Sequence, residues 1–205
     1  MVKAVMPIYE GADMLDICGP YEFFKWAEYD IAMVAEKAGT VTLGNGVQIV
    51  VDTTFDQAGD DNDFFWLPGA GGDAIAAMQK SPAMQGFLAA QAKSVRYLVT
   101  VCSGALILAQ TGLLDGYEAT THWAFLPCYA RFPNVMVAPG HPRFVIDRNR
   151  ITGGGISSGL DEALELIKIL SGVEQARYVQ RTVQYYPDPP VHSTIPVATS
   201  CPVPA

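Results

Sequence analysis

The chain has no apolar run as long as the roughly 18 residues a membrane-spanning helix requires, which excludes that class. Basic residues are scarce as well. Thirteen Lys and Arg stand against 21 Asp and Glu, for a net charge of −8 and a pI of about 4.7. With no basic patch, nucleic acid is not an expected partner. Histidine is limited to positions 122, 141 and 192, and cysteine to positions 18, 102, 128 and 201. No Cys-x-x-Cys spacing occurs, so neither a zinc site nor a disulfide framework is expected. Unpaired cysteines suit a reducing compartment, and the expected location is the cytoplasm. The opening MVKAVMPIY reads as a strand and lacks the long apolar core and cleavage site of a secretory signal. Neither Gly-x-Gly-x-x-Gly nor Gly-x-x-x-x-Gly-Lys-Ser/Thr is present, so no nucleotide cofactor is expected, and no metal.

What the chain does have is apolar content. Half of its 205 residues are hydrophobic, enough for one full core. A single domain over residues 1–205 is expected, ending in a proline-rich tail (186–205). Short apolar strands alternate with helical stretches through the middle. That pattern predicts an α/β fold with a doubly wound, mostly parallel sheet and helices on both faces, a flavodoxin-like three-layer sandwich. Lys3 to Ile8, Tyr29 to Glu36, Phe64 to Leu67 and Val95 to Val101 read as strands. Val41 to Leu43 and Val47 to Val51 flank Gly44–Asn45–Gly46, a hairpin signal. Thr53 to Asp63 reads as an acidic surface loop. Helices are expected over Gly19 to Ala27, Asp73 to Gln79, Pro82 to Lys93, from His122 to Arg131, Leu160 to Leu170 and Glu174 to Tyr185. The tail carries six prolines from Pro187 onward, so it cannot be regular structure and is expected to wrap the surface or a partner.

The most informative stretch is Val95 to Leu114. An apolar run ends at Cys102, Ser103 and Gly104 follow, and a helix opens at Ala105. Strand, sharp turn with a nucleophile, helix: this is the nucleophile-elbow arrangement. A sulfur at a helix N-terminus is expected to have a lowered pKa and to react as thiolate. The alternative is an inert packed cysteine, but the polar Ser103 interrupting an apolar run favours reactivity. Asp16, between Leu15 and Ile17 just ahead of the first helix, is either a helix-terminal carboxylate or a partly buried acid with a raised pKa suited to proton transfer. Pro68–Gly69–Ala70–Gly71–Gly72 is either a plain tight loop or a source of backbone N–H groups for an anion. Gly153–Gly154–Gly155–Ile156 is a second glycine turn, with Ser157 or Ser158 as helix cap. Ligands bind at the C-terminal ends of strands in such sheets, and Asp16, Ala70, Cys102 and the Gly153 turn all follow strands.

TVCSGALILAQTGLLDGYEATTHW resembles the nucleophile region of the ThiJ/PfpI superfamily, within the class I glutamine amidotransferase-like fold. LDICGPYEFF resembles its acidic segment, DFFWLPGAGG its oxyanion loop and ITGGGISSGLDEALELI its late helix. The tail VQYYPDPPVHSTIP is similar to the isocyanide (isonitrile) hydratase branch. The resemblance implies hydration of isocyanides to N-substituted formamides through a covalent thioimidate. It implies Cys102 as nucleophile, Asp16 as acid and base, and Ser103, Ala70 and Gly71 as substrate or oxyanion groups. Gly155 and Ile156 join the candidate set, as does His122, for which its neighbour Trp123 favours a packed role. His141 and His192 are expected to be solvated, and Cys18 to be a packed small residue. Ser103 stands where the hydratases carry threonine. Ala70 replaces the second glycine of Pro-Gly-Gly, which requires either a negative φ at that position or accepted strain. The implied partners are a small-molecule isocyanide and a second copy in a homodimer. Other readings are a ligand- or redox-sensing domain, like that of AraC-type regulators, and a glyoxalase- or deglycase-type enzyme acting on 2-oxoaldehydes.

Overall fold

Strands form where apolar, β-branched or aromatic residues run without interruption. The computed structural model describes residues 1–204. Phe64–Leu67 (FFWL) is buried at every position, as expected of a strand covered on both faces. Naming the elements in chain order gives β1 (Lys3–Pro7), α1 (Met14–Trp26), β2 (Asp30–Ala35), β3 (Gly39–Thr42), β4 (Gln48–Val51), β5 (Thr53–Thr54), β6 (Phe64–Leu67), α2 (Gly72–Lys80), α3 (Pro82–Gln91), β7 (Tyr97–Thr100) and α4 (Gly104–Gln110). After these come β8 (Glu118–Ala119), β9 (Met136–Val137), β10 (Phe144–Asp147), β11 (Arg150–Gly153), α5 (Ser158–Ser171) and α6 (Val173–Thr182).

Seven strands make one sheet in the order β10-β11-β7-β6-β1-β2-β5. Every neighbouring pair is parallel except the β10–β11 hairpin. Helices α1, α5 and α6 pack on one another, and α2 packs with α3 and α4. The result is the expected doubly wound sheet with helices on both faces. The Gly44–Asn45–Gly46 turn joins β3 to β4 as an antiparallel pair, also as expected.

Four local expectations are corrected or refined. First, α1 starts earlier. Asp13 is the N-cap and its side chain accepts from Leu15 N, so Asp16 lies inside the first turn instead of ahead of it, and Pro20 lies in the helix interior. A proline there removes the N–H that would bond to the carbonyl of Asp16. That carbonyl is used instead by Trp66, whose Nε1–H donates to it at 2.9 Å. Second, the acidic stretch from Thr53 is not all loop. Thr53–Thr54 pair with β2 as the sheet edge, and Phe55 stacks on Phe87 at 4.3 Å. Third, the expected helical stretch to Arg131 forms, and it is a 3-10 helix over Trp123–Arg131, with Pro127 breaking any α ladder. Fourth, Cys128 and Cys201 form a disulfide, and Cys18 is exposed on α1. Disulfides persist in oxidising surroundings, so the ground for expecting a reducing compartment is removed. Among the described residues no helix is long and apolar enough to cross a membrane.

The core between sheet and helices is aromatic around Phe24. Its ring lies 5.0 Å from Phe64, 5.3 Å from Trp66 and 6.1 Å from Tyr29. Because these rings fix α1 on β6, Phe24→Ala leaves a cavity that neighbouring rigid rings cannot fill. The expected loss of stability is about 3–5 kcal/mol, checked by urea unfolding.

Candidate active site

Four segments meet at the C-terminal ends of β1, β6, β7 and β11. Three ties draw α1 onto the loop after β6. Asp13 N donates to Gly69 O at 2.8 Å, Ala12 bridges Ala70, and Gly69 N donates to Asp16 Oδ2 at 2.8 Å. The same Gly69 lies against the elbow after β7. A Cβ added there would stand 2.7 Å from Ser103 N and Ser103 Oγ and 2.9 Å from Cys102 Cβ. Gly69 therefore separates the Asp16 carboxyl from the Cys102 side chain by the thickness of one peptide.

Cys102 adopts φ +57. A non-glycine residue in the left-handed region costs on the order of 1–3 kcal/mol and must be held there. Cys102 N donates to Gly154 O at 2.9 Å, Gly104 N donates to Val101 O at 3.1 Å, and Thr121 Oγ1 donates to Cys102 O at 2.7 Å. The backbone N–H groups of Ser103 and Ile156 face its sulfur. Ile156, with φ +34, is strained too. A cavity of about 360 Å³ has Thr121, His122, Gly154, Gly155, Ile156 and Ile195 in its wall. Cys102 does not line it, but Thr121, Gly154 and Ile156 are the residues that bond to or face Cys102.

The electrostatics differ from expectation. The elbow predicts a lowered thiol pKa; the structure pushes Cys102 up to about 12. Burial is the main cause and the Asp16 charge adds to it, while the two N–H groups only partly offset them. Helix α4 is seven residues long, too short for a strong dipole. Asp16, with no exposed surface, is raised well above the usual carboxylate range, first by burial and then by Asp13, with the Gly69 N–H pulling it back. Its other oxygen, Oδ1, is buried and without a hydrogen-bond partner. Of the two alternatives for Asp16, this is the buried acid.

Several candidates fall elsewhere than expected. Ser103 Oγ donates to Ala70 O at 2.7 Å and accepts from Ala70 N at 2.8 Å. This reciprocal pair occupies both the hydroxyl and the N–H expected to face substrate. Ala70 has a negative φ, since it is not among the positive-φ residues. Gly71 serves as N-cap of α2. His122 accepts from Ala124 N through Nδ1 and packs on Gly155, so it borders the cavity without a bond to Cys102 among the described residues. Ser157 is the N-cap position of α5, but its Oγ makes no capping bond and accepts from Arg143 instead. No cluster of described residues could hold a metal.

The sequence reading missed Glu162. It lies on α5 facing the backbone of β11, where a Cβ on Gly153 would overlap its carboxyl group. It is fully buried, both oxygens lack partners, and burial with the nearby Asp16 charge raises its pKa well above normal. The signal available was its company: Glu162 stands among Ala163, Leu166 and Ile167, the apolar face of α5.

A model of the DJ-1/PfpI family matches residues 2–169. The isonitrile hydratase of Pseudomonas putida is 34% identical over 190 residues, covering 92% of this chain and 81% of that protein. The HTH-type transcriptional regulator GbdR of Pseudomonas aeruginosa is 44% identical over 82 residues, covering 40% of this chain and 22% of the regulator. A crystal structure of a ThiJ/PfpI family protein from Pseudomonas syringae superposes with a TM-score of 0.86 at 34% identity, over 93% of this chain and 77% of that one.

The two buried acids make stability pH-dependent. Both hold protons in the folded chain well above the values near 3.8 and 4.5 at which the unfolded chain releases them. The folded state therefore binds more protons, and stability falls as pH rises from that range toward neutrality. Glu162→Gln should remove up to about 1.4 kcal/mol of that loss per pH unit. Urea unfolding of both proteins at about pH 5 and about pH 7 checks the difference in slope.

Proposed function

The chain belongs to the DJ-1/PfpI family, and on that premise we propose that it hydrates isocyanides, R–N≡C, to N-substituted formamides, with Cys102 as nucleophile and Asp16 as proton carrier. The observation that carries this reading is the pairing of one thiol with one buried acid across Gly69. An isocyanide has no leaving group, so its hydration needs a nucleophile and a mobile proton rather than a hydrolase triad. The isonitrile hydratase relative supports the substrate class.

The steps balance on these two groups. The Asp16 carboxyl gives its proton to the isocyanide carbon while Cys102 Sγ bonds to that carbon, and the thiol proton passes to Asp16. The product is the thioimidate R–N=CH–S–Cys. Water then adds to the same carbon. Its proton passes through Asp16 while the nitrogen is protonated, giving R–NH–CH(OH)–S–Cys. Breakage of the C–S bond releases R–NH–CHO, and the hydroxyl proton returns to sulfur. A carrier that works in both directions requires a pKa lifted toward neutrality, the direction found for Asp16. The N–H groups of Ser103 and Ile156 are aimed at the sulfur, where negative charge develops as the C–S bond breaks.

A ligand-sensing reading draws on the GbdR match and predicts binding without consumption of isocyanide. Ultraviolet monitoring of an aryl isocyanide separates the two. Formamide should appear with wild type and not with Cys102→Ala, and Asp16→Asn should slow turnover by at least about 10²-fold. Full activity in Cys102→Ala would overturn the mechanism.

A further inference from the structure

The tail after α6 is irregular, yet it returns to the protein body at two places. Ile195 enters the wall of the cavity formed with His122, Gly155 and Ile156, the last of which turns its N–H to the Cys102 sulfur. Farther on, Cys201 is disulfide-bonded to Cys128, in the 3-10 helix that follows His122. Past the disulfide, Val203 is buried with 2% of its surface exposed. Arg131 donates to the carbonyls of Val203 and Pro204 at 2.7 and 3.1 Å. At the other end, Tyr185 donates to Asp161 at 3.0 Å and meets Phe23 edge-on. Between these anchors, none of the described residues from 187 to 200 forms a hydrogen bond.

We propose that residues 187–200 are a strap across the mouth of the cavity walled by Thr121, His122 and Ile156 and that this cavity is the way to Cys102, that Ile195 limits the size of the substrate group R, and that the Cys128–Cys201 disulfide holds the strap in place. The role of Ile195 toward R rests on the isocyanide reading; the strap itself does not. A segment fastened at both ends explores little space, and one with no hydrogen bonds of its own stays in position only through those ends and its few side-chain contacts. Ile195 is half exposed, so its seat in the cavity is shallow. A dithiol would open the strap by exchange. One of its sulfurs attacks Cys201 or Cys128, the S–S bond breaks, and the second sulfur closes the dithiol into its own disulfide. Two electrons pass to the protein, and Cys128 and Cys201 leave as thiols, each with a proton. Among the described residues, the Arg131 bonds and the packing of Pro202 and Val203 against Gly72 then remain.

The test compares oxidised wild type, wild type reduced with dithiothreitol and then freed of it, Cys201→Ser, and Ile195→Ala. Alkylation by iodoacetamide is read at the Cys102 peptide by mass spectrometry. Turnover is compared for a bulky aryl and a small alkyl isocyanide. Reduction and Cys201→Ser should both speed alkylation of Cys102 several-fold. Ile195→Ala, with its disulfide intact, should raise the bulky-to-small ratio of kcat/KM by about tenfold. Equal alkylation rates with the disulfide intact and broken would overturn the strap. An unchanged ratio in Ile195→Ala would overturn its role in specificity. If wild type consumes neither isocyanide, the hydratase reading and the Ile195 role in R selection fall together, while the alkylation comparison still decides the strap.

Discussion

The closeness of approach at Gly69 governs the site. One residue there holds the Asp16 carboxyl by its N–H and lies so near Cys102 that an added Cβ would stand 2.9 Å from the Cys102 Cβ. Any side chain at this position would push the loop after β6 away from the elbow, and with it the first turn of α1, which Asp13 and Ala12 fasten to that loop. The Tyr9 hydroxyl, donating to Pro68 O at 2.7 Å, fixes the loop from β1. The acid and the thiol are thus positioned by backbone that has little freedom to move, as the proposed proton transfer between them would require.

The costs of this arrangement are compensated locally. The left-handed backbone at Cys102 is held by bonds from three segments, so the strain cannot relax by moving one of them. Burial raises the pKa of the Asp16 and Glu162 carboxyls, which widens the pH range over which no buried charge has to be carried. Proline and tryptophan cooperate in the same economy. The hydrogen bond that Pro20 cannot make to Asp16 O is made by the Trp66 indole, so α1 loses no satisfied carbonyl at the turn that carries the acid.

Much of this was legible in the chain. FFWL reads as a buried strand because nothing in it favours water, and it is one. The GNG turn reads as a hairpin because only small or turn-forming residues suit its backbone, and β3 and β4 pair around it. Cys102 and Asp16 were legible as candidates because each is an ionisable group among apolar neighbours in a segment that follows a strand. The boundaries of α1 were not, because the capping strength of Asp13 and the tolerance of Pro20 both depend on partners remote in sequence. The Cys128–Cys201 pairing was not legible either, since no local spacing marks cysteines 73 residues apart.

By itself the sequence determined the alternation of strand and helix, the elbow and the residues with chemistry to offer, because these depend on near neighbours and on periodicity. Tertiary structure decided how those residues behave. It joined Asp16 to Cys102 through Gly69, tied the Ser103 hydroxyl to Ala70, and raised the thiol pKa that the elbow alone would lower. It also buried Glu162 behind Gly153, brought Ile195 back to the cavity wall and joined Cys201 to Cys128. Burial, desolvation and close approach belong to pairs of distant segments, and no stretch of chain carries them before it is folded.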